Sequence, residues 1–184
     1  MKALDALHTR ISAPRLGEPA PTPEQLKNIY KAAFRAADHG LLRPWRFLVI
    51  REESREKLGR LFLQAALLDD PAMSEDKQQK LANNPLRAPL LLISIGSYQA
   101  HPKVPQVEQD LSAGAATQNM LLAAFAQGIG AMWRTGSMAY NDTVRQGLGL
   151  AEQEKIIGFL YLGTAIGPGK SLADPDSADY FKEW

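Results

Sequence analysis

Apolar residues recur along the 184-residue chain at two spacings, and the change of spacing marks the elements. Ala3, Leu4 and Leu7 share one side of a helix predicted over Met1–Thr9. Ile11–Pro23 carries Pro14, Pro19 and Pro21 and predicts extended or looping chain. Thr22 before Pro23 is a threonine N-cap followed by proline at the first helical position. Leu26, Ile29, Tyr30, Ala33 and Phe34 continue that helix, with an end predicted near Asp38-His39-Gly40.

Trp45–Ile50 is short, apolar and rich in strand formers. A helix follows over Glu53–Leu68, Pro71 interrupts, and a polar helix follows over Ser74–Asn83. Ala88–Ser97 contains Leu-Leu-Leu-Ile-Ser-Ile and predicts a strand covered on both faces. Gln99–Pro105 predicts a loop, and Gln106–Gln127 the longest helix, ended by Gly128. Its core face is drawn through Val107, Leu111, Ala115, Gln118, Leu122 and Phe125, with a small-residue middle at Ser112–Ala116. Strands are predicted over Ile129–Thr135 and Lys155–Gly163, with a short helix over Asp142–Leu148 N-capped by Asp142. The tail ends on Tyr180, Phe181 and Trp184, aromatics expected to dock on a surface. The pattern is mixed α and β with helix in excess, expected as one domain over 1–184.

Composition narrows the function classes. Lys plus Arg is 21 and Asp plus Glu 20, a net charge of +1 that gives no global pull on nucleic acid or acidic membranes. With no cysteine, thiolate metal sites, cysteine nucleophiles and iron–sulfur clusters are excluded. The histidines, His8, His39 and His101, lie at no metal-ligand spacing, so no metal site is expected. No apolar run reaches the length of a membrane span, and a cytoplasmic location is expected. No Walker loop occurs, and Gly128-Ile129-Gly130 follows a helix, the wrong context for a dinucleotide-binding loop.

No hydrolytic triad stands out, so an enzyme with this chain would rely on a bound cofactor. Arg10-Ile11-Ser12 offers a guanidinium and a hydroxyl beside free backbone donors, suited to phosphate; from spacing alone, a surface arginine and a turn serine are the commoner case. Arg35 and His39, one helical turn apart, could face one ligand or simply end a helix. Arg134 inside Ala131–Gly136 needs a partner or an exit to solvent, and Trp133 beside it is either core or the frame of a ring system.

Taken together, these segments resemble the nitroreductase family of flavoproteins, most closely its short NAD(P)H nitroreductase members, over nearly the whole chain. Arg10-x-Ser12, Ala36-Ala37-Asp38-His39 and Pro44-Trp45-Arg46-Phe47 carry the likeness. So do Lys103-Val104-Pro105 with Glu108, Ser112-Ala113-Gly114, Trp133-Arg134-Thr135-Gly136 and Gly158–Thr164. The chain departs from the family pattern with Ala37 in place of a frequent proline, Arg43 in place of glutamine, and Ile11 in place of a second basic residue. Lys170 is the one candidate for the basic C-terminal residue of longer members.

The resemblance implies an α+β fold with a central, mainly antiparallel sheet flanked by helices, and a homodimer with flavin mononucleotide (FMN) at the subunit interface. It implies an oxidoreductase that passes electrons from NADPH or NADH through flavin N5 to a nitroaromatic, quinone-like or other small acceptor, with ping-pong kinetics. Arg10, Ile11, Ser12, Trp133, Arg134 and Thr135 are the implied FMN contacts, joined by Arg35 and His39 from the partner subunit. Ala123, Ala124, Phe125, Ala126, Gln127 and Gly128 are the implied nicotinamide dinucleotide segment. The alternative is a flavin-binding regulatory or chaperone module with little turnover.

Overall fold

A computed structural model describes residues 1–169 and 172–184, so Lys170 lies outside the described residues. Among these, helices α1 (Ala3–Thr9), α2 (Pro23–Ala33), α3 (Glu53–Asp69), α4 (Glu75–Ala82), α5 (Gln106–Ala126) and α6 (Asp142–Gly147) surround one sheet. Its strands are β1 (Leu16–Gly17), β2 (Trp45–Arg51), β3 (Leu90–Ser97), β4 (Gly130–Arg134) and β5 (Glu154–Ala165). Every pairing is antiparallel, as expected, in the order β1-β5-β3-β2 with β4 also on β5. The register Gly130↔Gly163 and Gly17↔Thr164 sets β4 and β1 end to end along the same edge of β5.

Both sheet faces are covered, so β3 is buried almost throughout. On one face, Leu90, Leu92, Leu160 and Leu162 pack with α2 and α5 through Ile29, Ala116, Met120 and Ala124. On the other, Leu91, Ile93, Phe159 and Tyr161 pack with α3 and α6 through Phe62, Ala65 and Val144. Phe62 meets Phe159 edge-to-face, with ring centroids 5.4 Å apart. One irregularity interrupts the alternation. The β3–β5 register jumps from Ser94↔Gly158 to Ile95↔Ile156, leaving Ile157 as an extra, bulged residue.

The extended segment after α1 contributes a short strand, with Leu16 and Gly17 paired to Ala165 and Thr164. Three expectations are corrected. Helix α2 ends at Ala33 rather than near Gly40: Arg35 and Ala36 donate to Ala32 and Ala33, tightening the last turn. The α5 core face is the other one. Val107 and Leu111 are 60% and 69% exposed, while Ala113, Ala116, Thr117, Met120 and Ala124 are buried. Asn141, not Asp142, caps α6 by accepting from the Val144 N–H at 3.2 Å; Asp142 pairs instead with Arg145. The tail aromatics Tyr180, Phe181 and Trp184 are exposed, as are Leu4 and Leu7 of α1.

Arg46 on β2 grips Glu154 at the start of β5 through two bonds of 2.6 and 2.7 Å. Those bonds, opposed by burial and helped by the Ala151 N–H, hold the Glu154 carboxyl down at about 2, against an ordinary 4.5. A depressed folded-state value contributes stability that is fully present above the ordinary carboxylate value and is lost as pH falls from there through the folded-state value. Glu154→Gln is therefore expected to cost about 2 kcal/mol at neutral pH, the low end for a broken pair because Arg46 is partly exposed. Urea unfolding at neutral pH and at about pH 3 checks this, since the wild-type advantage shrinks as the carboxylate is protonated.

Candidate functional site

Strand β4 ties the candidate residues together. It lies at the sheet edge, and its outer side takes one bond from the N-terminal segment, Ala13 N–H to the Ala131 carbonyl at 2.9 Å. The N–H and C=O of a strand residue point to the same side, alternating along the strand. The Ala13 bond therefore shows that the backbone groups of Trp133 face the same outer edge. That edge has no backbone partner beyond Ala131 among the described residues.

Arg10 and Ile11 lie at the beginning of β4. Helix α1 stops at Arg10, whose N–H still donates to the Ala6 carbonyl, and the extended chain then runs beside the strand. Arg10 and Ile11 line a cavity of about 220 Å³ with Phe125, Gly128, Gly130 and Ala131. Gly128 makes that wall possible. Its φ of 75° is left-handed, and it turns the chain from α5 into β4 within three residues. Ser12 is exposed beside this cavity.

The segment Ala123–Gly128 is divided. Phe125 and Gly128 line the cavity, whereas Ala124 is fully buried in the core and Ala126 is exposed. Ala123 packs on that same core. Gln127 is a strut: its carbonyl oxygen accepts from Asn28, and its amide donates to the carbonyls of Gln25 and Ala123.

The far end of β4 separates Trp133 from Arg134. Strand alternation puts them on opposite sheet faces. Trp133 packs on the α5 side, and its indole N–H reaches the carbonyl of the bulged Ile157 at 3.4 Å. Arg134 lies on the α3 side, 5.7 Å from the Tyr161 ring centroid. With Thr135, Asn84, Arg87 and Ser137 it lines a second cavity of about 390 Å³. Burial pushes the Tyr161 phenol up, and Arg134 and Arg87 pull it back. Asn84 and Arg87 were not foreseen from sequence. They lie in a short 3₁₀ turn, Asn84–Arg87, where no periodicity marks a functional side chain.

Arg35 and His39 stand apart from both cavities. Because α2 ends at Ala33, they are not one helical turn apart, and both are exposed. His39 meets Glu108 in the first turn of α5, Nδ1 to Oε2 at 2.6 Å. Arg10, Arg35, Arg87 and Arg134 make no ion pair among the described residues, unlike Arg46, Arg60 and Arg145.

An antiparallel five-stranded sheet with helices on both faces, and cavities at both ends of an edge strand, defines an α+β architecture. Comparison with known proteins identifies it. The chain belongs to the nitroreductase family, whose model matches residues 16–164. It is 47% identical over 182 residues to YdjA of Escherichia coli (strain K12), named as a candidate NAD(P)H nitroreductase, covering 98% of each chain. Among solved structures, a nitroreductase-like family protein from Bacillus cereus superposes with a TM-score of 0.85 at 21% identity, over 100% of this chain and 96% of that one. A Bacteroides fragilis nitroreductase with bound FMN superposes at 0.76 and 19% identity over 100% of each chain. No described helix is long and apolar enough to cross a membrane.

Proposed function

We propose that the protein is a cytoplasmic, FMN-dependent NAD(P)H oxidoreductase, a single-domain chain working as a homodimer on small acceptors such as nitroaromatics or quinones. The observation that carries this reading is the open edge of β4, which leaves the Trp133 backbone without a partner among the described residues, between Arg10 at one end and Arg134 at the other. The names of the full-length Escherichia coli relative and of the FMN-bound neighbour support the same reading.

The donor set suits FMN. Arg10, with no carboxylate partner, neutralises a phosphate, and the Ser12 hydroxyl donates to phosphate or ribityl oxygens. The Trp133 N–H and C=O offer a donor and an acceptor to the polar edge of a flavin ring, as a strand would. Thr135 and the Arg134 guanidinium close the other end of that edge, and Arg87 adds positive charge there. Arg35 and His39, exposed and outside both cavities, serve the cleft of the neighbouring subunit. Phe125 and Gly128 are the members of the Ala123–Gly128 segment placed to touch a nicotinamide dinucleotide. When bound, FMN supplies two-electron transfer between a nicotinamide and an acceptor. Apolar residues left exposed on the monomer, Leu4, Leu7, Val107, Leu111 and the aromatic tail, are covered in the dimer.

Steady-state kinetics test the proposal. One open cleft serving reductant and acceptor in turn gives parallel double-reciprocal lines when NADPH and a nitroaromatic are varied together. Intersecting lines contradict the shared cleft, and flavin binding without turnover favours the regulatory module.

A further inference from the structure

We propose that Glu108 is a positioning residue that holds His39 with its Nδ1–H turned toward α5, so that Nε2 is the nitrogen offered to the cofactor. The inference rests on the FMN reading above and specifies its chemistry. In the neutral ring, a proton fixed on Nδ1 leaves Nε2 as a hydrogen-bond acceptor. His39 then takes an O–H or N–H donor of the flavin, a ribityl hydroxyl or a ring imide, and not a phosphate oxygen.

The geometry behind this extends beyond one 2.6 Å contact. The backbone around His39 is held in an unfavourable shape: Gly40, Leu41 and Arg43 have φ of 75°, 54° and 47°, and two of the three carry a side chain. Three sets of bonds keep it there. The Asp38 carboxylate accepts from the Arg43 N–H at 2.6 Å. The Gln99 amide donates to the Leu42 carbonyl at 3.0 Å. Gln109, only 2% exposed, fixes Gln99 in turn, accepting from its N–H and donating to its carbonyl. Gln109 follows Glu108 on α5, so the first turn of that helix grips the His39 segment through backbone and ring together. A side chain that is 57% exposed would otherwise be free to rotate. A carboxylate contact is the simplest way to choose one tautomer for it.

Nitrogen-15 NMR of the flavin-free protein reads the tautomer directly, and three histidines make assignment tractable. The spectrum is taken at about pH 8, above the usual titration range of histidine. Wild type is expected to carry the His39 proton on Nδ1. Glu108→Gln keeps it there, because an amide oxygen still accepts. Glu108→Ala returns the ring to the Nε2–H form that an unconstrained imidazole prefers. FMN affinity, measured by quenching of flavin fluorescence, falls about tenfold in Glu108→Ala and less than about threefold in Glu108→Gln. His39→Ala loses as much as Glu108→Ala, and the double variant loses no more. An Nε2–H ring in wild type overturns the proposal, and so does an additional full loss from Glu108→Ala in the His39→Ala background. If wild type binds no FMN, the flavin reading fails and takes the cofactor contact with it, while the tautomer spectra still decide whether Glu108 orients His39.

Discussion

Gly158→Ala should displace the Trp133 indole, destabilise the fold by about 3 kcal/mol and weaken FMN binding about tenfold. A Cβ at position 158 would stand 2.0 Å from the Trp133 Nε1, 2.6 Å from its Cδ1 and 3.0 Å from the Arg134 carbonyl oxygen. The Arg134 backbone carbonyl limits any shift of the new methyl group away from the ring, so the indole must move. The indole N–H now reaches the carbonyl freed by the bulge at Ile157, and rotating the ring breaks that bond. The displaced ring moves along the edge of β4, where the cofactor is proposed to lie. Urea midpoints and flavin content report the two effects separately. Adding Trp133→Ala should restore stability relative to Gly158→Ala alone, because the clash is removed with the ring. Additive losses in the double variant would show that the glycine is required for some other reason.

Arg10→Ala should reduce FMN affinity about a hundredfold, the scale of a charge-assisted contact to phosphate. Arg10 makes no ion pair among the described residues, so its removal leaves no unpaired carboxylate and the fold should keep its stability. Arg10→Lys should recover part of the affinity, since it retains the charge and loses the two-pronged geometry. Wild-type flavin content in Arg10→Ala would remove the phosphate role.

What could be read in the sequence followed from how each element carries its signal. Leu90–Ile95 announces a strand buried on both faces because its apolar run, broken only by Ser94, shows no alternation with polar residues. Thr22-Pro23 announces the start of α2, and the Thr22 hydroxyl does accept from the Gln25 N–H. Strand β1 gave no such sign. Two residues have no periodicity, and their pairing depends on Ala165 and Thr164 at the far end of the chain. Periodicity selects the wrong face of α5 because the larger apolar side chains, Val107 and Leu111, are exposed. Close packing of α5 on the sheet and α2 instead uses Ala113, Ala116 and Ala124 with Met120 and Leu121. The sequence puts the end of α2 too late because Asp38 and His39 look like a helix terminus. In the fold their side chains are committed to Arg43 and Glu108.

The same contrast holds at the site. Trp133 and Arg134 are legible because a large aromatic and a cation in an apolar strand demand an explanation, and Arg10 because its guanidinium sits beside the Ser12 hydroxyl after a helix. That Trp133 and Arg134 face opposite sides of the sheet follows from strand alternation once the strand is known, yet one short segment does not show which side each cavity occupies. Gln109, Asn84 and Arg87 carry no sequence signal, since their roles depend on the segments 99–104 and 134–137 folding against them.

The most direct test of the account is an absorbance spectrum of the purified protein with added FMN, followed by NADPH without oxygen. Bound flavin bands near about 375 and 450 nm that bleach when NADPH is added are expected. A protein that retains no flavin, or one whose bound flavin stays oxidised with both NADPH and NADH, would contradict it.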